Sequence, residues 1–149
     1  LRRIAAAWRR YMKKRKRIIM KRAAEFGCVF TTGGLIYALV EILFRGYTHW
    51  SMFILGGLCF IGMYVSAASH EPIWKKWVIS TGIILVLEFE AGIILNLLLG
   101  WDIWDYSKYR FNLYGQICLR YALCWFALCI PGNALCDLLR TKLFERSRS

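Results

Sequence analysis

Four apolar runs, each long enough to cross a bilayer and separated by short polar segments, constrain this sequence more than any other feature. About 20 residues suffice for a span. The runs cover about Phe26 to Phe44, Ser51 to Ser69, Trp77 to Gly100 and Asn112 to Ile130. A chain of 149 residues that is 58% hydrophobic in this layout reads as all-α. It is expected to be a polytopic membrane protein with four transmembrane helices in two helical hairpins. The expected segments are a basic juxtamembrane stretch (1–24), a first hairpin (25–69), a loop (70–76), a second hairpin (77–131) and an amphipathic basic tail (132–149). The first apolar run is a full span, longer than the core of a secretory signal.

Charge orients the spans. The net charge is +12, and eleven of the 21 basic residues lie before Ala23. Lys75 and Lys76 fall between spans two and three, and Arg140, Lys142, Arg146 and Arg148 follow span four. Only Arg45, Lys108 and Arg110 occupy the other two loops. The positive-inside rule then puts both termini in the cytoplasm. Basic residues next to a span signal topology and bind anionic lipid head groups, which is preferred here to nucleic acid. Trp8, Tyr11, Ile18 and Ile19 suit a short helix lying in the interface. Pro131-Gly132-Asn133 is expected to stop span four, with Asn133 capping an amphipathic tail helix. In that helix Leu135, Leu138, Leu139, Leu143 and Phe144 would face lipid, and Arg140 and Lys142 would meet phosphates.

The third run is the least ordinary. Glu88, Gly92 and Asn96 recur at i, i+4, i+8 and share one helix face. Glu90 points about 200° away from Glu88. Ionisable groups inside a span mark function by default. The first and fourth helices offer Glu41 and Gln116 as neighbours, so Glu41, Glu88, Asn96 and Gln116 form the expected polar intramembrane site. It reads either as a structural hydrogen-bond cluster or as a proton or cation site. The glycine pairs Gly33-Gly34 and Gly56-Gly57, with Gly92 and Gly115, suit close helix packing. The six cysteines fall in or beside the spans without metal spacing and read as packing residues. No cofactor or metal is expected.

The outward loops are aromatic. Trp50, Trp101, Trp104, Tyr106 and Tyr109 fit an interfacial belt. Asp102, Asp105, Ser107 and Asn112 exceed what a belt needs. Asp105 and Ser107 are expected to cap span four, with binding at the outer mouth as the alternative. The two hairpins also echo each other, with Glu41 over Asn96, Ser51 over Ser107, Gly56 over Gly115 and Cys59 over Cys118. Such a pairing would make them parallel repeats.

Two segments carry a family resemblance. EFEAGIILNLLLGWDIWDYSKYRFNLYGQICLRYALCWF and RGYTHWSMFILGGLCF resemble the CmpB-like putative ABC-transporter type IV family of bacterial membrane proteins. The resemblance spans about residues 33–126. It implies a small multi-pass protein of the bacterial cytoplasmic membrane, and it attaches no catalytic role to any residue. Its pattern falls on Glu41, Thr48, Trp50, Gly56, Glu88, Gly92, Asn96, Gly100, Trp104, Asp105, Tyr106, Ser107, Phe111, Asn112, Gly115, Cys118 and Trp125. The chain departs from the pattern at Glu90 and Arg120, where similar sequences carry an apolar residue and proline, and at Arg110, another usual proline. Glu90 and Arg120 sit at matching expected depths in neighbouring helices, so an ion pair between them is expected.

These features favour a transporter or permease component. The sequence has no GxxxxGK[ST] phosphate loop, so an ABC mechanism would need a separate ATPase subunit, for which the HEPIWKKW loop is short. A homo-oligomer coupled to protons or cations needs no ATPase. The alternative is a non-transport scaffold, regulator or lipid-binding module working through its basic ends. An enzyme built on His49, Asp102, Asp105 and Ser107 ranks last, and no enzymatic activity is expected.

Overall fold

A computed structural model describes residues 2–145. The tail residues Arg146 and Arg148 and the Phe144 side chain lie outside the described residues. Four helices dominate: α1 (Arg2–Arg45), α2 (Trp50–Ala67), α3 (Ile73–Gly92) and α4 (Leu119–Leu138). The third and fourth each run on into a π-helical segment, Ile93–Leu98 and Leu139–Glu145. Each contains a stretch long and apolar enough to cross a membrane. Helices suit that setting because they satisfy their own backbone hydrogen bonds where water cannot.

Helix α2 is central. It packs against all three other helices, and it contributes Met52, Leu55, Cys59, Phe60, Met63 and Tyr64 to the core. Val29, Ile84, Cys129 and Cys136 meet them from the flanking helices. The α1–α2 contact depends on glycine, as expected from the glycine pairs. A Cβ on Gly33 would stand 2.1 Å from the Phe60 Cβ, and one on Gly56 would stand 2.2 Å from the Tyr37 Cβ.

Helix α1 runs unbroken for 44 residues, about 66 Å at 1.5 Å per residue. That is twice a hydrocarbon core of about 30 Å. The basic stretch is thus a continuous helical extension of the first span rather than a separate helix. Lys75 and Lys76 lie inside the first turn of α3, whose start at Ile73 shortens the α2–α3 loop to Ala68–Pro72.

The fourth span differs most from expectation. Helix α4 starts at Leu119, not near Asn112. The residues before it form a two-stranded antiparallel hairpin, β1 (Asn112–Leu113) with β2 (Ile117–Cys118). Tyr114 and Gly115, with φ of 51° and 70°, make its turn, a geometry that favours glycine at the second position. Nor does Pro131 end the helix, which continues to Leu138. Asn133 is no cap. It is buried mid-helix, donating to the Cys129 carbonyl at 2.8 Å and to Ser80 Oγ at 3.1 Å. As far as Glu145, the expected tail is therefore the end of α4 and the π-helical segment that continues it. Leu135 and Leu139 pack on the core, and Arg140 turns inward to donate to the Tyr64 carbonyl.

The residues paired between hairpins do not occupy equivalent places. Gly56 and Cys59 lie mid-helix, whereas Gly115 lies in a turn and Cys118 in a strand. The expected Glu90–Arg120 ion pair is also absent among the described residues. The late start of α4 moves Arg120 to its first turn, where the guanidinium lies 5.5 Å from the centre of the Tyr109 ring. Glu90 faces outward from α3. A double-mutant cycle of Glu90→Leu and Arg120→Leu, read by thermal unfolding in detergent, should be additive to within about 0.5 kcal/mol. Coupling of several kcal/mol would show that the two charges do meet.

Candidate functional site

Two helical stripes build the site. On α3 it is Glu88 and Gly92, followed by Asn96 in the π-helical continuation, and on α1 it is Tyr37, Glu41 and Arg45, spaced i, i+4, i+8. Glu88 is 4% exposed. One of its oxygens accepts from the Tyr37 hydroxyl at 2.8 Å and the other from the Trp125 indole N–H at 2.8 Å. Tyr37 and Trp125 also stack, with ring centres 5.2 Å apart. One carboxylate thus ties α1, α3 and α4 together.

Glu41 is buried at the end of α1. It accepts from Arg45 Nη1 at 2.6 Å and from Thr48 Oγ1 at 2.6 Å. Arg45 Nη2 donates to the Tyr47 hydroxyl at 2.9 Å and to the Ile103 carbonyl. Arg45 therefore pins the long α3–α4 loop onto α1.

Between these groups lies a cavity of about 380 Å³. Glu41 and Glu88 both line it, with Tyr37, Trp125, Tyr106 and Tyr121 among its aromatic walls. Asn96 and Gln116, expected in the same site, stand behind it. Asn96 Nδ2 donates to Gln116 Oε1 at 2.8 Å and to the Trp104 carbonyl at 2.9 Å, and Asn96 Oδ1 accepts from Ile103 N at 2.8 Å. These two residues hold the loop rather than line the cavity. Gly92 makes room for them, since a Cβ there would meet Gln116 Oε1 at 2.5 Å.

The loop motif is likewise a scaffold. Asp105 accepts from Ser107 N and Ser107 Oγ, each at 2.8 Å. Neither residue caps α4, whose N-cap is Cys118. Asn112 Nδ2 donates to the Tyr109 carbonyl at 2.7 Å, and its Oδ1 accepts from Gly115 N at 3.0 Å. Trp104 is buried and donates to the Gln116 carbonyl at 2.9 Å. The Tyr106 amide donates to the Gly115 carbonyl at 2.7 Å, and its ring stacks on Tyr121 with centres 4.5 Å apart. The loop thereby presents Ile103, Trp104 and Tyr106 to the cavity. Burial, with Glu88 nearby, raises the Tyr106 hydroxyl above its ordinary value.

Several polar residues escaped the sequence reading. Tyr37 and Arg45 carry a detectable signal, since they extend the face of Glu41. At the other end of the bundle Tyr64 of α2 donates to Glu25 of α1, while Arg140, in the π-helical segment that follows α4, lies 4.5 Å from the Tyr64 ring centre.

Four span-length helices around a cavity with buried carboxylates define a multi-pass helical membrane protein. The chain belongs to the family described as Putative ABC-transporter type IV, whose model matches residues 10–147. No solved structure matches it.

The two bonds from Ser107 hold the Asp105 carboxyl below its usual range. A lowered folded value means that this contribution is complete above the unfolded aspartate value, about 3.9. It is lost as pH falls through the folded value. The Ser107 amide resonance, followed by NMR in nanodiscs, should therefore titrate with a midpoint below about 3.9. A midpoint at or above that value would mean that the Asp105–Ser107 turn does not form.

Proposed function

We propose that this chain is a transport component of the bacterial cytoplasmic membrane. In this reading both termini face the cytoplasm and the cavity beneath the α3–α4 loop is the solute site. The observation that carries it is the burial of two carboxylates, Glu41 and Glu88, in the wall of a cavity within span-length helices. Burying a carboxylate is costly, and groups of this kind inside spans usually lie on substrate or ion pathways. The family description supports transport over a purely structural role. No catalytic chemistry is assigned to any residue.

The two carboxylates have different parts. Glu41 is committed to Arg45 and Thr48, so it fixes the loop. Glu88 also accepts one bond at each oxygen, but from the neutral donors Tyr37 and Trp125 rather than from a basic group, and a carboxylate offers about four acceptor sites. It keeps capacity for a ligand and is the solute-facing group. Opening toward the cytoplasm would require α1 or α4 to move against α2, and a second copy or an ATPase subunit would supply that movement. The exposed basic extension of α1 offers more surface for such a subunit than the five-residue Ala68–Pro72 loop.

The test is proton and monovalent-cation flux in liposomes that hold the protein with whatever co-purifies from native membranes. Glu88→Gln should cut flux at least about tenfold while its thermal midpoint stays close to the parent's; such a factor reflects roughly 1.4 kcal/mol. Flux that survives Glu88→Gln but vanishes when Lys13 to Arg17 are neutralised would overturn the reading in favour of a lipid-surface module.

A further inference from the structure

The cavity has a chemical character beyond its two buried acids, and this inference rests on the transport reading above. Its acidic lining groups are Glu41, Glu88, Asp102 and Asp105, and Arg45 is its basic one. Arg45 is spent. Its guanidinium is shared among Glu41, the Tyr47 hydroxyl and the Ile103 carbonyl. It also lies 4.7 Å from the centre of the Tyr47 ring. Its pairing with Glu41 at 2.6 Å leaves Glu88, Asp102 and Asp105 facing no other basic group in the described cavity lining. The net field in the cavity favours a positive ligand.

The walls decide which kind of cation. Where a bare metal ion would want five or more oxygens around it, this cavity offers rings. Tyr37 and Trp125 stack beside Glu88. Tyr106 stacks on Tyr121, and Tyr109 packs edge-on to both, with centres 6.1 Å and 5.7 Å away. Aromatic faces attract ammonium-type cations within about 6 Å of the ring centre. They also bury the carbon framework such a cation carries. A volume of about 380 Å³ falls in the range of small-molecule sites.

We propose that the cavity binds an organic monocation, with its charge beside Glu88 and its apolar body against Trp125 and the Tyr106–Tyr109–Tyr121 rings. Glu88 selects the charge, and the rings select a carbon-clad cation over a hydrated one. The loop motif around Asp105, Ser107 and Asn112 then has a purpose beyond its own folding, because it holds Tyr106 and Tyr109 in place as walls.

Equilibrium binding to the purified full chain in nanodiscs tests this without requiring transport. The probes are benzyltrimethylammonium, its neutral carbon isostere neopentylbenzene, and benzoate. The cation should bind at least about tenfold tighter than either, as expected for a desolvated charge held by a carboxylate and rings. Glu88→Gln should erase the preference for the cation over the isostere, and Glu88→Asp should restore part of it. Tyr121→Ala lies outside the Glu88 hydrogen bonds and serves where Glu88→Gln fails to fold; it should weaken the cation several-fold more than the isostere. Equal binding of the cation and its isostere, or tighter binding of benzoate, would overturn the proposal. If ions still cross liposomes in that case, the transport reading stands and only the ligand class fails. Tight, Glu88-dependent binding of the cation without any flux would support the ligand class and defeat the transport reading.

Discussion

Glu88 is satisfied from two other helices, by Tyr37 of α1 and Trp125 of α4, and the arrangement of the loop end follows from that. Ten residues, or about 15 Å, separate it from Leu98 at the end of its helix. A carboxylate at that depth is costly unless donors meet it, and neighbouring helices supply them. An indole N–H and a phenol hydroxyl do so while adding large apolar rings to the helix contacts. Because Tyr37 and Trp125 also stack, the ring contact and the hydrogen bonds fix the same relative placement of α1 and α4. Space between these rings and the loop becomes the cavity.

The loop above it is held by side chains that bond backbone, not by regular structure. Asn96 reaches it from the π-helical end of α3, Gln116 from the turn before α4, and Arg45 from α1. A π-helical segment places side chains differently from an α-helix and is frequent at functional positions. Here it carries Asn96 to the loop backbone. Glycine at 92 and 115 is needed for close approach: Gly92 admits Gln116 and Gly115 admits Asp105. The long α3–α4 connection is thereby a built cover, whereas the Gly46–His49 connection is short, lends Thr48 to Glu41 and ends at His49, the N-cap of α2.

The spans were legible because hydrophobic length is a direct readout of what must cross a bilayer. The face shared by Glu88 and Asn96 was legible because helical periodicity is regular. What those residues touch was not. Periodicity places a side chain on a face but does not say which residue of another helix supplies the donor, so Tyr37 went unnoticed and Asn96 was assigned to the site rather than to the loop. The start of span four is hidden in the sequence because Asn112–Cys118 is apolar enough to extend a span, while its Tyr114-Gly115 turn marks a hairpin. That shift alone removed the basis for pairing Glu90 with Arg120, since depth was counted from the wrong residue. Pro131 does not stop α4 because proline breaks helices in water more readily than in spans, where neighbouring groups re-satisfy the backbone.

To take up a solute, the cavity beside Glu88 must hold water and open at the end of the bundle away from the termini. Cys124 lines that cavity, while Cys59, Cys129 and Cys136 are buried in the core. The measurement is labelling of a variant that keeps Cys124 as its sole cysteine, in intact cells, with a membrane-impermeant cationic thiol reagent. Rapid modification from outside, slowed when Glu88 is changed to Gln, is the predicted result. Protection of Cys124 in intact cells, with reaction only after the protein is unfolded, would contradict the claim.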